Sequence, residues 1–242
     1  MSLKAVSFDL WFTLIWDDSS LEEYYRVSKI KAIKDTLKEF SFEDIEKAFK
    51  GVRGNKGEDL PPTNFEDWIK SILDNLGYKA EENLIKDLAL KVSFSGFDKL
   101  PYLNPEAKEV LNYFKSEGYK IALISNVNRY SIAYKELLRK LGILDYFDSL
   151  IFSSDLGFAK PDKEIFYEAL KELKVRKDEM VHIGDSYHHD ILGATNAGIK
   201  AILYIGLWDK FEEARKVKRE KPNYPLIAKN LKDCIEMVKR II

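Results

Sequence analysis

Five short runs along the chain are apolar almost without interruption: LKAVSF (3–8), YKIALI (119–124), SLIF (149–152), MVHIG (180–184) and KAILYI (200–205). Their length predicts strands buried on both faces. Most are separated by stretches with the helical period: PEAKEVLNYFKSEG, YSIAYKELLRKLGI, DKEIFYEALKELKV and DILGATNAG. Strands that alternate with helices imply right-handed crossovers, and so an α/β fold with a parallel sheet and helices on both faces. Ligands of such sheets bind beyond the carboxyl ends of the strands, so the polar residues just after each run carry the functional expectation.

One section breaks the alternation. Residues 19–98 hold no strand pattern but four helical ones, at about 20–39, 42–52, 64–76 and 81–94, the second and third separated by the Gly- and Pro-bearing GVRGNKGEDLPP. A helical block inserted after the first strand is expected to lie over the sheet's active end as a cap. The expected division is therefore a core of residues 1–17 with 99–242 and a cap of 18–98. The loop at 51–57, with Arg53 and Lys56, has the charge to meet an anionic substrate, or serves as a solvated turn. The charged stretch DKFEEARKVKREKP (209–222) is expected to be a solvated helix or loop.

Composition narrows the class. With 242 residues, 45% hydrophobic and 33% charged, the chain has the make-up of a soluble globular protein with a substantial core. Its formal net charge of -1 argues against nucleic acid or an anionic membrane as partner. Lys and Glu are abundant and Gln is absent, a balance seen in heat-adapted (thermophilic) proteins. The single Cys234 has no partner for an internal disulfide, which suits a reducing compartment. No apolar run approaches the ~18 residues of a membrane span, so a cytoplasmic location is expected, as a monomer or weak homodimer.

The strand ends collect a distinctive set. Strand one delivers Asp9 and Thr13, strand two Ser125 and Asn126, strand four Asp185, Ser186 and Asp190, while Lys160 stands before a proline and a helix start. Taken singly, Asp9 or Asp185 is a helix cap or turn residue. Taken together they suit phosphoryl transfer: a carboxylate nucleophile, a divalent cation shared by two carboxylates, and a lysine and hydroxyl holding phosphate oxygens. Magnesium, which prefers oxygen ligands, matches Asp9 with Asp185, and Asp190 orients them. His182, among apolar strand neighbours, is expected to be a satisfied core histidine.

These residues fall into four ordered motifs: Asp9-Leu-Trp-Phe-Thr-Leu14, Ser125-Asn126, Lys160-Pro-Asp-Lys-Glu-Ile-Phe166, and Gly184-Asp-Ser-Tyr-His-His-Asp190 with Gly193-Ala-Thr-Asn-Ala-Gly198. In that order and spacing the chain resembles the haloacid dehalogenase-like (HAD) hydrolases. The resemblance implies a Rossmann-like core with an all-helical C1-type cap, and Mg2+ as cofactor. It also implies Asp9 as nucleophile, with Ser125, Lys160, Asn126 and Thr13 around the phosphoryl group of a small anionic substrate. The metal would be held by Asp9, Asp185, Asp190 and the backbone carbonyl of Trp11. Trp11 is the departure. Phosphatases of this kind carry there a second acid that protonates the leaving group and later activates water, and indole does neither. The loss of such an acid costs ~10²–10⁴ in rate, so a slow phosphatase is expected. The alternatives are a metal-free 2-haloacid dehalogenase, whose leaving halide needs no proton, and a non-catalytic binder of phosphorylated ligands. Candidate substitutes for the missing acid are Asp17, Asp18, His188 and His189, each of which also has a structural reading.

Overall fold

The computed structural model describes residues 2–53 and 65–241. In chain order the elements are β1 (Ala5–Phe8), β2 (Ile15–Trp16), α1 (Ser19–Lys34), α2 (Phe42–Arg53), α3 (Phe65–Asn75), α4 (Glu82–Phe94), β3 (Tyr102–Leu103), α5 (Ala107–Ser116), β4 (Lys120–Ser125) and α6 (Ser131–Leu141). They continue with β5 (Ser149–Phe152), α7 (Ser153–Leu156), α8 (Lys163–Leu173), β6 (Met180–Gly184), a π-helical turn at Tyr187–Leu192 that runs into α9 (Gly193–Asn196), β7 (Lys200–Tyr204), α10 (Trp208–Arg215), β8 (Ile227–Ala228) and α11 (Asp233–Ile241).

Six strands form one parallel sheet in the order β5-β4-β1-β6-β7-β8. The alternation of side chains sorts β1 cleanly. Val6 and Phe8 join α5, α6 and α11 in one apolar cluster, while Ala5 joins α8 and α9 in another. Both faces of the sheet are thus covered, as the unbroken apolar runs predicted. The edge strand β8 has two residues, too few for periodicity to announce it.

The helices α1 to α4 pack around an apolar cluster of their own, including Ile30, Ile45, Trp68, Ile72 and Leu88. The strand-free block therefore has the content expected of it. The helix predicted over 20–39 ends at Lys34, although Leu37 remains buried in the same cluster. Asp35 and Thr36, weak helix formers, turn the chain while Leu37 keeps its place in the apolar period. Where the chain leaves the sheet and returns, the antiparallel pair β2–β3 ties the two connections together, with the Trp16 and Tyr102 rings 4.4 Å apart. Asp18 caps α1 by accepting from the amides of Ser20 and Leu21. The expectation placed on Arg53 and Lys56 falls outside what the structure describes.

Candidate active site

Asp9 follows β1, Ser125 ends β4 and Asp185 follows β6, so three adjacent strands deliver them to one sheet edge. Just beyond Asp9 the backbone coils back on itself: Leu14 and Ile15 donate to Leu10 O, and Phe12 N donates to Ile15 O at 2.6 Å. Phe12 sits at φ 58°, an uncommon conformation for a bulky residue. Its ring is buried edge-on against Phe211, 5.0 Å away. Thr13, in the same turn, donates from its hydroxyl to Asp9 Oδ2 at 3.3 Å, and its carbonyl accepts from Asn104 at 2.9 Å.

Lys160 is the hub. Its buried ammonium donates to Asp9 Oδ1 (2.5 Å), Asp190 Oδ1 (2.7 Å) and Ile124 O (2.9 Å). Burial opposes the ammonium's charge, but Asp190 and Asp9 outweigh it and hold its pKa above the ordinary lysine value. Asn126 fixes the lysine's backbone in both directions, its Nδ2 donating to Lys160 O and its Oδ1 accepting from Lys160 N, each at 2.8 Å. The expected phosphoryl contact of Asn126 thus meets a side chain already engaged in placing Lys160.

Asp190 is held at both of its carboxylate oxygens. Its Oδ1 lies on Lys160 and 3.2 Å from His182 Nε2, and its Oδ2 accepts from Ser186 N at 2.8 Å. Burial would raise its pKa, yet Lys160 and His182 pull it below the usual carboxylate range. His182 is satisfied, as expected, but by site residues: its Nδ1 is 2.9 Å from Ser7 Oγ, its register partner across the β1–β6 ladder. Burial pushes its pKa down. A hydrogen-bonded chain therefore runs from Ser7 through His182, Asp190 and Lys160 to Asp9. Gly184 makes room for it, since a Cβ there would stand 2.2 Å from Asp190 Cγ.

Two features speak to ligands. One carboxylate oxygen from each of Asp9, Asp185 and Asp190 falls within 4.8 Å of the other two, an all-oxygen donor set of the kind magnesium prefers. Ser125 Oγ is buried and has no hydrogen-bond partner among the described residues, a rare condition in a folded chain and one that a ligand oxygen would relieve. Burial raises Asp9 above the usual carboxylate range against the pull of Lys160. Asp185 is pushed up to about 8 by burial, against the pull of Arg219.

Arg219 corrects the expectation for the charged stretch 209–222. Residues 208–215 form α10, and Arg219 then turns inward, its Nη1 donating to the carbonyl of Asp185 at 2.8 Å and to Asp185 Oδ2. Trp208 Nε1 donates to the same carbonyl at 3.0 Å. Trp11 packs with the Phe12–Phe211 cluster, and its indole reaches the Tyr134 hydroxyl. The proposed substitutes for an acid at position 11 are committed elsewhere or turned outward. Asp17 pairs with Arg215, Asp18 caps α1, His189 Nδ1 lies 3.1 Å from Ser186 Oγ, and His188 is exposed.

Comparison with known proteins places this arrangement in company. The sequence profile of the haloacid dehalogenase-like hydrolases matches residues 3–198. The chain is 31% identical over 201 residues to the glyceraldehyde 3-phosphate phosphatase of Methanothermobacter thermautotrophicus, covering 83% of this chain and 85% of that one. Its fold is similar to that of a 2-haloacid dehalogenase from Pseudomonas syringae pv. tomato (TM-score 0.71, 22% identity, 99% and 100% of the two chains). It is also similar to that of a HAD phosphatase from Thermococcus onnurineus (TM-score 0.64, 20% identity, 98% of each). At these identities the structural likeness speaks for the fold.

Proposed function

The chain belongs to the haloacid dehalogenase-like hydrolases, and from that premise we propose that it is a magnesium-dependent phosphatase of a small phosphorylated metabolite, with Asp9 as nucleophile. The observation that carries this reading is the convergence of the Asp9, Asp185 and Asp190 carboxylates beside Lys160 and the unpaired Ser125 hydroxyl. Asp185 also weighs against the dehalogenase reading, which needs no metal.

Asp9 Oδ attacks phosphorus, a new O–P bond forms, and the bond to the substrate alkoxide breaks. Water then attacks the phosphorus of the aspartyl-phosphate, which restores the Asp9 carboxylate and releases inorganic phosphate, and the proton that water gives up balances, through solvent, the one the departing alkoxide takes. Lys160 keeps Asp9 in place as an anion and presents positive charge to the transferred group. Ser125 Oγ is positioned to hydrogen-bond a phosphoryl oxygen, and Thr13 holds Asp9 Oδ2. Asp9, Asp185, Asp190 and the Trp11 carbonyl would hold magnesium, which when bound screens the repulsion between nucleophile and phosphate. The helical block at 18–98 serves as the cap, closing over the site and choosing the substrate. Trp11 supplies no proton, so the slow step is loss of phosphate from Asp9.

Rapid-mix hydrolysis of p-nitrophenyl phosphate tests this, because its leaving group hardly needs an acid. We expect a burst of about one equivalent with magnesium, then slow turnover, both absent with chelator and in Asp9→Asn. Glyceraldehyde 3-phosphate, named for several relatives, is the first physiological substrate to assay. No product under any condition, with halide released from a 2-haloacid, would replace the phosphatase by the dehalogenase.

A further inference from the structure

Asp185 has a cation of its own. Arg219 spans its main-chain carbonyl and its carboxylate, and the guanidinium is fixed on the far side by aromatic rings, its Cζ 3.5 Å from the Phe211 centroid and 5.7 Å from that of Trp208. The backbone is held too, since Arg219 N donates to Glu212 Oε1 of α10 at 2.9 Å. This is a built seat: three residues of α10, Trp208, Phe211 and Glu212, place one arginine against one carboxylate oxygen.

We propose that Arg219 is a resident counter-ion that a divalent cation must displace from Asp185, so that the segment after α10 sets the metal affinity of the site. The inference rests on the magnesium reading above. The guanidinium sits on Asp185 Oδ2, and that same buried carboxylate belongs to the oxygen set of Asp9, Asp185 and Asp190 that a metal would use. Two cations competing for one buried carboxylate are negatively coupled. Coupling of this kind is reciprocal: a magnesium ion that loosens Arg219 is bound more weakly because Arg219 is there. Arg219 is thus a positioning residue for Asp185 rather than a catalytic one.

The test is calorimetric titration of MgCl2 into the 242-residue chain, the Arg219→Gln variant and the Asp185→Asn variant. We expect Arg219→Gln to bind magnesium roughly tenfold more tightly, within the range usual for coupled sites. Equal or weaker binding would overturn the proposal and make Arg219 a support for the metal-bound carboxylate. Wild-type binding that is absent, or that survives Asp185→Asn unchanged, would defeat the magnesium reading itself, a result distinct from the first. Hydrogen exchange in the wild type gives a measurement that needs no variant. Saturating magnesium should speed exchange across residues 216–221, and an unchanged or slower rate there would overturn the proposal.

Discussion

Lys160 has two buried carboxylates on one ammonium, and its removal is the sharpest test of how the site is held together. Asp9 and Asp190 are both almost inaccessible, and the ammonium is what permits them to be charged side by side. Lys160→Met should cost on the order of 3–5 kcal/mol in urea unfolding, because it leaves buried charge uncompensated. A loss below 1 kcal/mol would mean that the two acids share a proton instead. Trp11→Asp probes the chemistry. If position 11 lacks the acid that the first and second half-reactions use, steady-state turnover should rise at least tenfold, toward the roughly 10²–10⁴ that acid–base catalysis supplies. A folded variant with unchanged kcat would show that another group already does the work. Residue by residue, the sequence exposed Asp9, Thr13, Ser125, Lys160, Asp185 and Asp190, because each stands just past a strand or before a helix. It hid Ser7 inside an apolar strand, and it showed His182 only as a core histidine, without its partners Ser7 and Asp190. Ser7 and His182 meet only because β1 and β6 are neighbours in register, which no local pattern states. Arg219 was hidden differently, as one of several basic residues in a charged run, distinguished only by the turn that follows α10.

Among the elements, a buried arginine is one of the ties between the helical block and the sheet domain. Arg129, four residues after Ser125 ends β4, is 3% exposed, and its Nη1 donates to the carbonyls of Val92 (3.4 Å), Ser93 (3.0 Å) and Ser95 (2.6 Å). These carbonyls close α4, and an arginine there satisfies acceptors that the helix leaves open. The Phe97 ring lies 4.3 Å from the guanidinium carbon. Arg129→Met should therefore lower stability by roughly 2–3 kcal/mol, the scale of charge-assisted hydrogen bonds, and raise KM for a phosphate ester more than it lowers kcat. Equal effects on both constants would point to a direct role in the reaction. The longer strands themselves were legible, since pattern and length agree for every strand of four residues or more in the sheet. The ribbon β2–β3 and the strand β8, two residues each, were not, because pairing rather than pattern defines them.

For the molecule as a whole, the alternation of strands and helices was enough to imply the parallel sheet, and the strand-free interval was enough to imply an inserted helical block. What alternation could not imply is how that block is tied to the sheet domain, where Asp17 is decisive. It lies between β2 and α1, is 2% exposed, and takes two hydrogen bonds from Arg215 of α10, which also pairs with Glu22 of α1. Burial raises its pKa from 3.8 to about 6, even against the pull of Arg215. The sign follows from proton binding: between 3.8 and about 6 the folded chain holds this proton more tightly than the unfolded chain. The contribution of Asp17 to stability is thus most favourable below its unfolded value and declines as pH rises to about 6, by on the order of 3 kcal/mol at ~1.4 kcal/mol per unit. Asp17→Asn, which cannot ionise, should remove that slope. The difference in unfolding free energy, wild type minus Asp17→Asn, should fall from pH 4 to pH 7 and level off above it, whereas parallel pH profiles would show that the Arg215 pair fully compensates the buried charge.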